Sequence, residues 1–184
     1  MAEYTEKMTI SRQWAMPNSK TFQIKPIHKL IAKYKQVCAK SNIAPEGLVV
    51  IDPFANSSVE ANITNDLDPQ FNTTYHLDAL DFLKQFPGCS VDLILYDPPY
   101  SPRQVSECYK KLGKTVNMQT TQTSYWSRQK AEMARIVKKG GFVISCGWNS
   151  SGVGKKNGFD IEEILLVSHG GMHNDTIVVV DRKV

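Results

Sequence analysis

Three short apolar runs, separated by stretches of helical periodicity, constrain the fold of this chain more than any other feature. The runs are GLVVIDPF at 47–54, SVDLILYDP at 90–98 and GFVISCGW at 141–148. Each has the length of a strand, and none shows the polar alternation of a strand with one face in water. Continuous apolar strands are typical of parallel sheets that helices cover on both faces.

Segments with helical spacing lie between and around these runs. IHKLIAKYKQV at 27–37 repeats apolar residues every three or four positions, and DALDFLKQF at 78–86 has an acidic first turn and stops at Pro87. SYWSRQKAEMARIVKK at 124–139 predicts a further helix, with lysines in its last turn and Gly140 after it, as helix-terminus electrostatics favour. The chain therefore alternates between strands and helices.

Weaker signals complete the predicted sheet. EANITNDLD at 60–68 and TTYHL at 73–77 are strand candidates, and EEILLVSHGGMHNDTIVVVDRK at 162–183 predicts two strands joined by a turn at 169–174. The predicted fold class is α/β. We expect a Rossmann-like, mostly parallel seven-stranded sheet with a C-terminal antiparallel hairpin and helices on both faces.

Composition excludes several classes of protein. The 184 residues are 41% hydrophobic and 22% charged, which predicts a single domain over residues 1–184. No apolar run reaches membrane-spanning length and the N-terminus lacks the apolar stretch of a signal peptide, so we expect a cytoplasmic protein that does not bind membranes. The four cysteines form no Cys-x-x-Cys pair and the histidines show no ligand spacing, so no metal is expected.

Acidic residues follow successive predicted strands. Asp52 ends the first run, Asp66 and Asp68 follow the next candidate strand, and Asp78 follows the third. The carboxyl ends of parallel strands meet at one edge of a sheet, where ligands bind and where a carboxylate can hold ribose hydroxyls. Taken alone, each acid fits a helix cap or a surface group better than a binding site. The series, rather than any single residue, indicates a binding site.

The most specific motif is DPPY at 97–100, directly after the second apolar run. Together with DPF at 52–54, Asn65, Asp66 and Asp78, it resembles the amino-methyltransferase family, over most of the chain. That family uses S-adenosylmethionine and includes the small phage-type DNA adenine-N6 methyltransferases. The resemblance implies a Rossmann-like class I methyltransferase fold and methylation of adenine N6 in DNA.

One loop departs from the pattern of that family. Its first loop usually reads DPFxGxG, and Asn56 and Ser58 stand here in place of the two glycines. Glycine is favoured where φ is positive or where a ligand nearly touches the backbone, and Asn is the next most tolerant residue. Asn56 is therefore expected to make the turn, whereas Ser58 is expected to fit less well.

The resemblance also implies how S-adenosylmethionine would be bound. The backbone of the first loop would hold the methionine carboxylate, and a segment at 12–30 would close the site. Asp52 would lie near the amino group, Asp66 would take the ribose hydroxyls, and Asp78 would bind the adenine amino group. The implied cofactor residues are Trp14, Pro17, Asn18, Asp52, Pro53, Phe54, Ala55, Asn56, Ser57, Asn65, Asp66, Leu67, Asp78, Ala79 and Asp97.

The implied catalytic residues are Asp97, Pro98, Pro99 and Tyr100. The exocyclic amine of adenine is a poor nucleophile because its lone pair is delocalised into the ring. The Asp97 carboxylate and the Pro98 carbonyl would each accept one N–H of the amine, and the two prolines would fix the backbone. Tyr100 would stack on a base that has left its duplex. No covalent intermediate is required.

Basic residues after the motif indicate a nucleic-acid partner. The net charge is +4, and the segment 101–124 is polar and basic. We expect it to be a substrate-contacting loop with a short or lax sequence preference, because no segment is long enough for a separate target-recognition domain. The predicted nucleic-acid contacts are Tyr100, Arg103, Lys110, Lys111 and Lys114. A solvated helix face is the alternative reading of these charges.

Two alternative functions stay open. Some RNA-modifying enzymes also use Asp-Pro-Pro-aromatic, so an adenine or another amino group of RNA is the second candidate substrate. The missing loop glycines are compatible with a catalytically weak module that binds S-adenosylmethionine or nucleic acid. Cytosine C5 chemistry is disfavoured because the chain has no Pro-Cys pair. Cytosine-N4 and protein-glutamine enzymes usually carry Ser or Asn at the position of Asp97.

Overall fold

The structure, a computed structural model, describes residues 8–41, 47–116, 122 and 124–184. In these residues one sheet is formed by β1 (Thr9–Trp14), β2 (Val50–Asp52), β3 (Ile63–Thr64), β4 (Val91–Tyr96), β5 (Val137–Gly147), β6 (Phe159–Ser168) and β7 (Thr176–Lys183). The α-helices are α1 (Lys25–Lys40), α2 (Ala79–Lys84), α3 (Pro102–Lys111) and α4 (Ser124–Ile136).

The strand order across the sheet is β1-β6-β7-β5-β4-β2-β3. Neighbouring strands are parallel, except that β7 runs antiparallel to both β5 and β6. The predicted mostly parallel, seven-stranded sheet with a C-terminal antiparallel hairpin is therefore confirmed.

Strand β4 is buried on both faces, as its continuous apolar run predicts. Leu93 and Leu95 pack with residues of α1 in one core cluster, whereas Ile94 and Tyr96 pack with residues of α2 and α4 in a second cluster. Helices thus cover both faces of the sheet. The strand ends where the two layers open, and this places Asp97 at the carboxyl edge.

Strand β1 is an edge strand that the sequence does not predict. It pairs in parallel with β6, from Thr9 opposite Glu163 to Trp14 opposite Ser168. All but one of its residues are exposed, so no apolar periodicity marks it in the sequence. Its position comes from pairing with a strand near the other end of the chain.

The strand predicted at 73–77 is wrong, since this segment contributes a single bridge between Asn65 and Tyr75. The Thr64 and Thr74 amides each donate to the other residue's side-chain hydroxyl, at 3.2 and 3.1 Å. Because hydroxyls satisfy these donors, a regular ladder does not extend. The neighbouring strand predicted at 60–68 shrinks to the two residues of β3.

The helix predicted over 124–139 ends earlier, at Ile136, and Lys138 lies in β5 instead. The Lys138 ammonium lies 2.8 Å from a carboxylate oxygen of Asp92, which is fully buried. A buried carboxylate is costly without a partner, so this ion pair favours the extended path. Gly141 is needed in the strand because a Cβ there would lie 2.8 Å from the Asp92 carbonyl oxygen.

The segment predicted as a substrate loop contains a helix, α3. The Ser101 hydroxyl caps it by accepting a hydrogen bond from the Gln104 amide at 3.3 Å, and Pro102 occupies the first helical position. Ser-Pro before an amphipathic stretch is a recognisable helix start, so the loop prediction was wrong for α3. Residues 117–121 and 123 of the same segment lie outside the described residues.

None of the helices in the described ranges is long and apolar enough to cross a bilayer. The same residues contain no group of three or more His, Cys, Asp or Glu side chains that could hold a metal ion. All four cysteines are free, and burial raises the pKa of the Cys38 thiol to about 12.

Candidate active site

A cavity of about 530 Å³ opens at the carboxyl edge of the sheet. Its walls come from the loops after β2, β3 and β4, the start of α2, one side of α3 and the turn at residues 19–23 before α1. Strands β2 and β4 are parallel neighbours, but the chain continues from β2 to β3 on one side and then returns to β4 on the other side. Such topological switch points form crevices in open α/β sheets. The volume lies in the range of small-molecule sites.

The cavity brings together most of the predicted cofactor and catalytic residues. It is lined by Pro53, Phe54, Ala55, Asn56, Ser57, Asp66, Leu67, Asp78, Ala79, Asp97, Pro98, Pro99 and Tyr100. The predicted residues outside its lining are Trp14, Pro17, Asn18, Asp52, Asn65, Arg103, Lys110 and Lys114. Lys111, predicted to contact nucleic acid, lines it instead.

The part of the N-terminal segment that lines the cavity lies a few residues after the residues predicted to do so. Strand β1 carries Trp14 to the outer edge of the sheet, where 64% of this residue is exposed. The Asn18 side chain accepts a hydrogen bond from the Lys20 amide at 2.9 Å. Residues 19–23, rather than Trp14, Pro17 and Asn18, then form the wall.

The first loop adopts the turn that its substituted glycine position requires. Asn56 has a φ of +50°, and its amide donates to Asp66 Oδ2 at 2.8 Å. Asn56 therefore takes the left-handed conformation, as expected. Ser58 needs no such conformation, because Asn56 and Cys89 are the non-glycine residues with positive φ in the described part of the chain. Ser58 therefore meets no conformational conflict, and its fit beside a bound cofactor stays a prediction.

Asp52 lies next to the cavity with one carboxylate oxygen unsatisfied. Oδ1 accepts a hydrogen bond from the Phe54 amide at 3.0 Å, whereas Oδ2 is buried without a partner. Burial raises the pKa of Asp52 well above its usual value, and the charges of Asp97 and Asp66 raise it further. A buried acceptor of this kind is a place where a cationic or donor group of a ligand would be stabilised.

Asn65 joins three segments around the cavity. Its side-chain amide donates to the carbonyl oxygens of Pro53 and Leu77, each at 3.0 Å, and its Oδ1 accepts from the Leu77 amide at 2.9 Å. The side chain is fully buried. Asn65 thus positions the loops after β2 and β3 against the segment that leads into α2.

Helix α3 is held against the cavity by contacts with Asp78 and Asp68, two of the acids that follow the predicted strands. Asp78 caps α2 by accepting from the Leu80 amide at 3.0 Å, and its other oxygen accepts from the Tyr109 hydroxyl. Burial raises the pKa of Tyr109, so the hydroxyl stays protonated and donates. Lys111 lies 3.3 Å from Asp68 Oδ2. These contacts make α3 a wall of the cavity.

The motif acid and the motif tyrosine are in direct contact. The Tyr100 hydroxyl donates to Asp97 Oδ1. Burial raises the pKa of Asp97, and hydrogen bonds from the Tyr100 and Thr21 side chains oppose this rise. The Asp97 carboxylate is thus largely shielded from water, with two uncharged hydroxyl donors beside it.

The rest of the motif is held from two sides. The Trp126 indole of α4 donates to the Pro99 carbonyl at 3.0 Å, and the Gln104 side chain accepts from the Tyr100 amide at 2.6 Å. The Trp148 ring, just after β5, meets the Tyr100 ring at 5.4 Å between centroids and 68° between planes. These contacts fix the backbone and one ring face of the motif.

Sequence reasoning missed the residues that support the motif from elsewhere in the chain. They are Thr21, Tyr109, Trp126 and Trp148. Tyr109 had a readable signal, because it shares a helical face with Val105. For the others the signal is absent, since each contact joins segments that only the folded sheet brings together.

No family model matches the sequence, and no curated protein matches it. Among solved structures, the chain is similar to TrmN from Thermus thermophilus, with 19% identity, a TM-score of 0.51, and coverage of 88% of this chain and 49% of that chain. It is also similar to yhhF from Escherichia coli, named as a candidate methyltransferase, with 9% identity, a TM-score of 0.51, and coverage of 92% and 89%.

This is the Rossmann-like methyltransferase fold. The similarity covers most of the present chain, which spans about half the length of TrmN. At 19% identity or less it concerns the fold.

Proposed function

We propose that the protein transfers a methyl group from S-adenosylmethionine to the exocyclic N6 of adenine in DNA, with a short or lax sequence preference. The observation that carries the proposal is that Asp97 and Tyr100 open into the same cavity as the first loop and as Asp66 and Asp78. A carboxylate with an adjacent aromatic ring suits an amine acceptor. The loop and the two further acids suit a ligand with hydroxyl and amino groups.

The groups around the cavity fit the chemistry of the cofactor. The unsatisfied oxygen of Asp52 matches an ammonium group, which would also stabilise the charged form that burial disfavours. Asp66 follows β3 and would accept ribose hydroxyls. Asp78 and the Tyr109 hydroxyl that it holds would face the adenine end. When bound, S-adenosylmethionine supplies an electrophilic methyl group.

The residues of the chain then position the acceptor. Asp97 accepts one N–H of the adenine amine. The Pro98 carbonyl accepts the other, and the Pro99 carbonyl already accepts from the Trp126 indole. The amine displaces the Tyr100 hydroxyl from Asp97, and the Tyr100 ring stacks on the base. N6 would gain the methyl group as the bond between this group and the cofactor sulfur breaks, with the neutral thioether as the leaving group. Asp97 would stabilise the positive charge on N6 and take the released proton.

Methyl transfer to nucleic-acid pools tests this function. The protein is incubated with S-adenosylmethionine labelled in its methyl group and with single-stranded or duplex DNA or RNA, and the products are digested to nucleosides. We expect the label in N6-methyldeoxyadenosine. Label confined to RNA nucleosides would assign the protein to RNA instead, and label in no pool would contradict a nucleic-acid methyltransferase. Mapping of a long, strict target sequence would contradict the lax preference.

A further inference from the structure

Three exposed large apolar residues lie at the carboxyl edge of the sheet, on the side of the motif away from the cavity. They are Trp14, Trp148 and Met172, which are 64%, 46% and 101% exposed and are called the apolar row here. Two tryptophans and a methionine in water are unfavourable unless a partner covers them.

The topology places the row in line with the motif. Trp14 ends β1, Met172 lies in the β6–β7 turn and Trp148 follows β5, in the order in which these strands neighbour one another. Three strand steps of about 4.8 Å separate β1 from β5, so the row extends over about 14 Å and β4 lies one step further. The row leads to the motif through the contact between Trp148 and Tyr100.

The row is also continuous at its outer end. The Trp14 indole nitrogen lies 3.4 Å from where a Cβ on Gly170 would be, so Trp14 packs on the turn that carries Met172. His169, at the start of that turn, makes 2.8 Å hydrogen bonds with the Ala15 carbonyl and the Thr176 hydroxyl. Buried polar contacts thus fix the turn against the end of β1.

Charge separates this side of the motif from the cavity side. The segments 8–41, 145–158 and 168–174 contain no Asp or Glu, although the chain has 18 of them, and the turn that carries Met172 adds one exposed acid, Asp175. The same segments carry the exposed basic side chains Arg12 and Lys156, whereas the exposed Lys20 lines the cavity. The acids of the site lie instead around the cavity. The surface therefore suits a polyanion.

We propose that the apolar row binds single-stranded nucleic acid, whose bases stack on Trp14 and Trp148 and whose unpaired target base reaches Tyr100. Exposed aromatic rings on a surface with basic side chains and few acids are the combination that binds unpaired strands, since every base has a face to stack. The proposal rests on the proposed function for the identity of the acceptor. It moves the main nucleic-acid surface from α3 to the opposite side of the motif.

The contacts of α3 agree with this change. Arg103 pairs with Glu107 of the same helix at 2.7 Å, and Lys111 pairs with Asp68 at the cavity. Two of the basic residues predicted to contact nucleic acid thus have acidic partners within the protein. Lys110 and Lys114 are exposed and provide the matched comparison.

The test measures the Kd for three fluorescent probes of about 15 nucleotides, with S-adenosylhomocysteine present. One probe is single-stranded oligodeoxythymidine, one is single-stranded oligouridine and one is a DNA duplex. Trp14→Ala and Trp148→Ala are each expected to raise the Kd for the single-stranded probes at least about fivefold, because stacking contributes about 1–3 kcal/mol per base. Trp14→Phe and Trp148→Phe, which keep a ring, should retain most of the affinity. Lys110→Ala with Lys114→Ala should change the Kd less than either Trp→Ala change. The deoxythymidine and uridine arms distinguish DNA from RNA.

Several results would overturn the proposal. They are an unchanged Kd in folded Trp→Ala variants, tighter binding of the duplex than of both single strands, and no probe binding by the wild-type protein. Light scattering that shows a wild-type dimer lost in the Trp variants would assign the row to a second copy instead. Failure of the proposed function gives a different result from failure of this proposal. If the probes bind through Trp148 but no methyl group is transferred, the nucleic-acid surface stands and the proposed function fails. If methyl transfer occurs but the Trp→Ala changes leave the Kd unaffected, the proposed function stands and this surface does not.

Discussion

The Tyr100 hydroxyl donates a hydrogen bond to Oδ1 of Asp97, so the candidate catalytic carboxylate is engaged before any substrate arrives. The acceptor amine must take the place of this hydroxyl. Before the acceptor binds, Tyr100 therefore stabilises the charged form of Asp97, and afterwards its ring stacks on the base.

We expect Tyr100→Phe to move the acid limb of methyl transfer to higher pH. Burial raises the pKa of Asp97, and the Tyr100 hydrogen bond opposes that rise, so its loss raises the pKa further. The carboxylate is the form that accepts the amine N–H, so activity falls as pH falls through this pKa. Because the amine displaces this hydroxyl when it binds, the shift is expected in kcat/KM for the acceptor, which reports the free enzyme. A limb of kcat/KM that stays in place or moves to lower pH would refute the prediction.

Asp97→Ala should lower the methyl-transfer rate at least about a hundredfold, because it removes a group that stabilises charge in the transition state. Calorimetry should give a Kd for S-adenosylmethionine within about threefold of wild type, since Asp52 and the first loop remain. Asp81→Ala, which removes an exposed carboxylate on α2, is the control. Retained transfer in Asp97→Ala would contradict the role given to this residue.

Asn56→Ala should destabilise the protein by about 1 kcal/mol, because alanine tolerates the left-handed conformation at φ +50° less well than asparagine. Asn56→Gly, which adopts this conformation freely, should be at least as stable as wild type. Thermal unfolding should place the alanine variant about 2–4 °C below wild type. Equal melting of the alanine and glycine variants would show that the turn does not depend on this residue.

Asp181 predicts a pH dependence of stability away from the cavity. Its carboxylate accepts from the Val153 amide at 2.9 Å, and burial raises its pKa to about 6. Because the folded pKa exceeds the unfolded value of about 3.9, this group lowers stability as pH rises from about 4 through about 6. The change in the free energy of unfolding caused by Asp181→Asn should therefore be more favourable by about 1–3 kcal/mol at neutral pH than at a pH of about 4. Denaturant unfolding at both pH values checks this, and parallel pH profiles would contradict it.

The parts of the fold that the sequence predicts are those with local signals. The apolar runs of β2, β4 and β5 are buried where they occur in the sequence, and the acids that follow them reach one edge because parallel strands end together. The motif after β4 and the turn at Asn56 follow from residue chemistry alone. These features depend on neighbours within a few positions in the chain.

The parts that escape prediction depend on distant partners. Strand β1 is exposed on most of its length and exists because it pairs with β6, some 150 positions later, as in Trp14 opposite Ser168. Lys138 leaves the predicted helix because Asp92 on the neighbouring strand is buried beside it. Helix α3 was predictable from its Ser-Pro start, but its role as a cavity wall depends on the contact between Tyr109 and Asp78.

The most direct test of the account uses two single-stranded DNA oligonucleotides that differ at one position. One carries a single adenine and the other carries inosine there, which replaces the exocyclic amine with a carbonyl and leaves the rest of the purine. With methyl-labelled S-adenosylmethionine, we expect label in the adenine strand, recovered as N6-methyldeoxyadenosine, and none in the inosine strand. Equal label in both strands, or none in either at saturating cofactor and DNA, would contradict it.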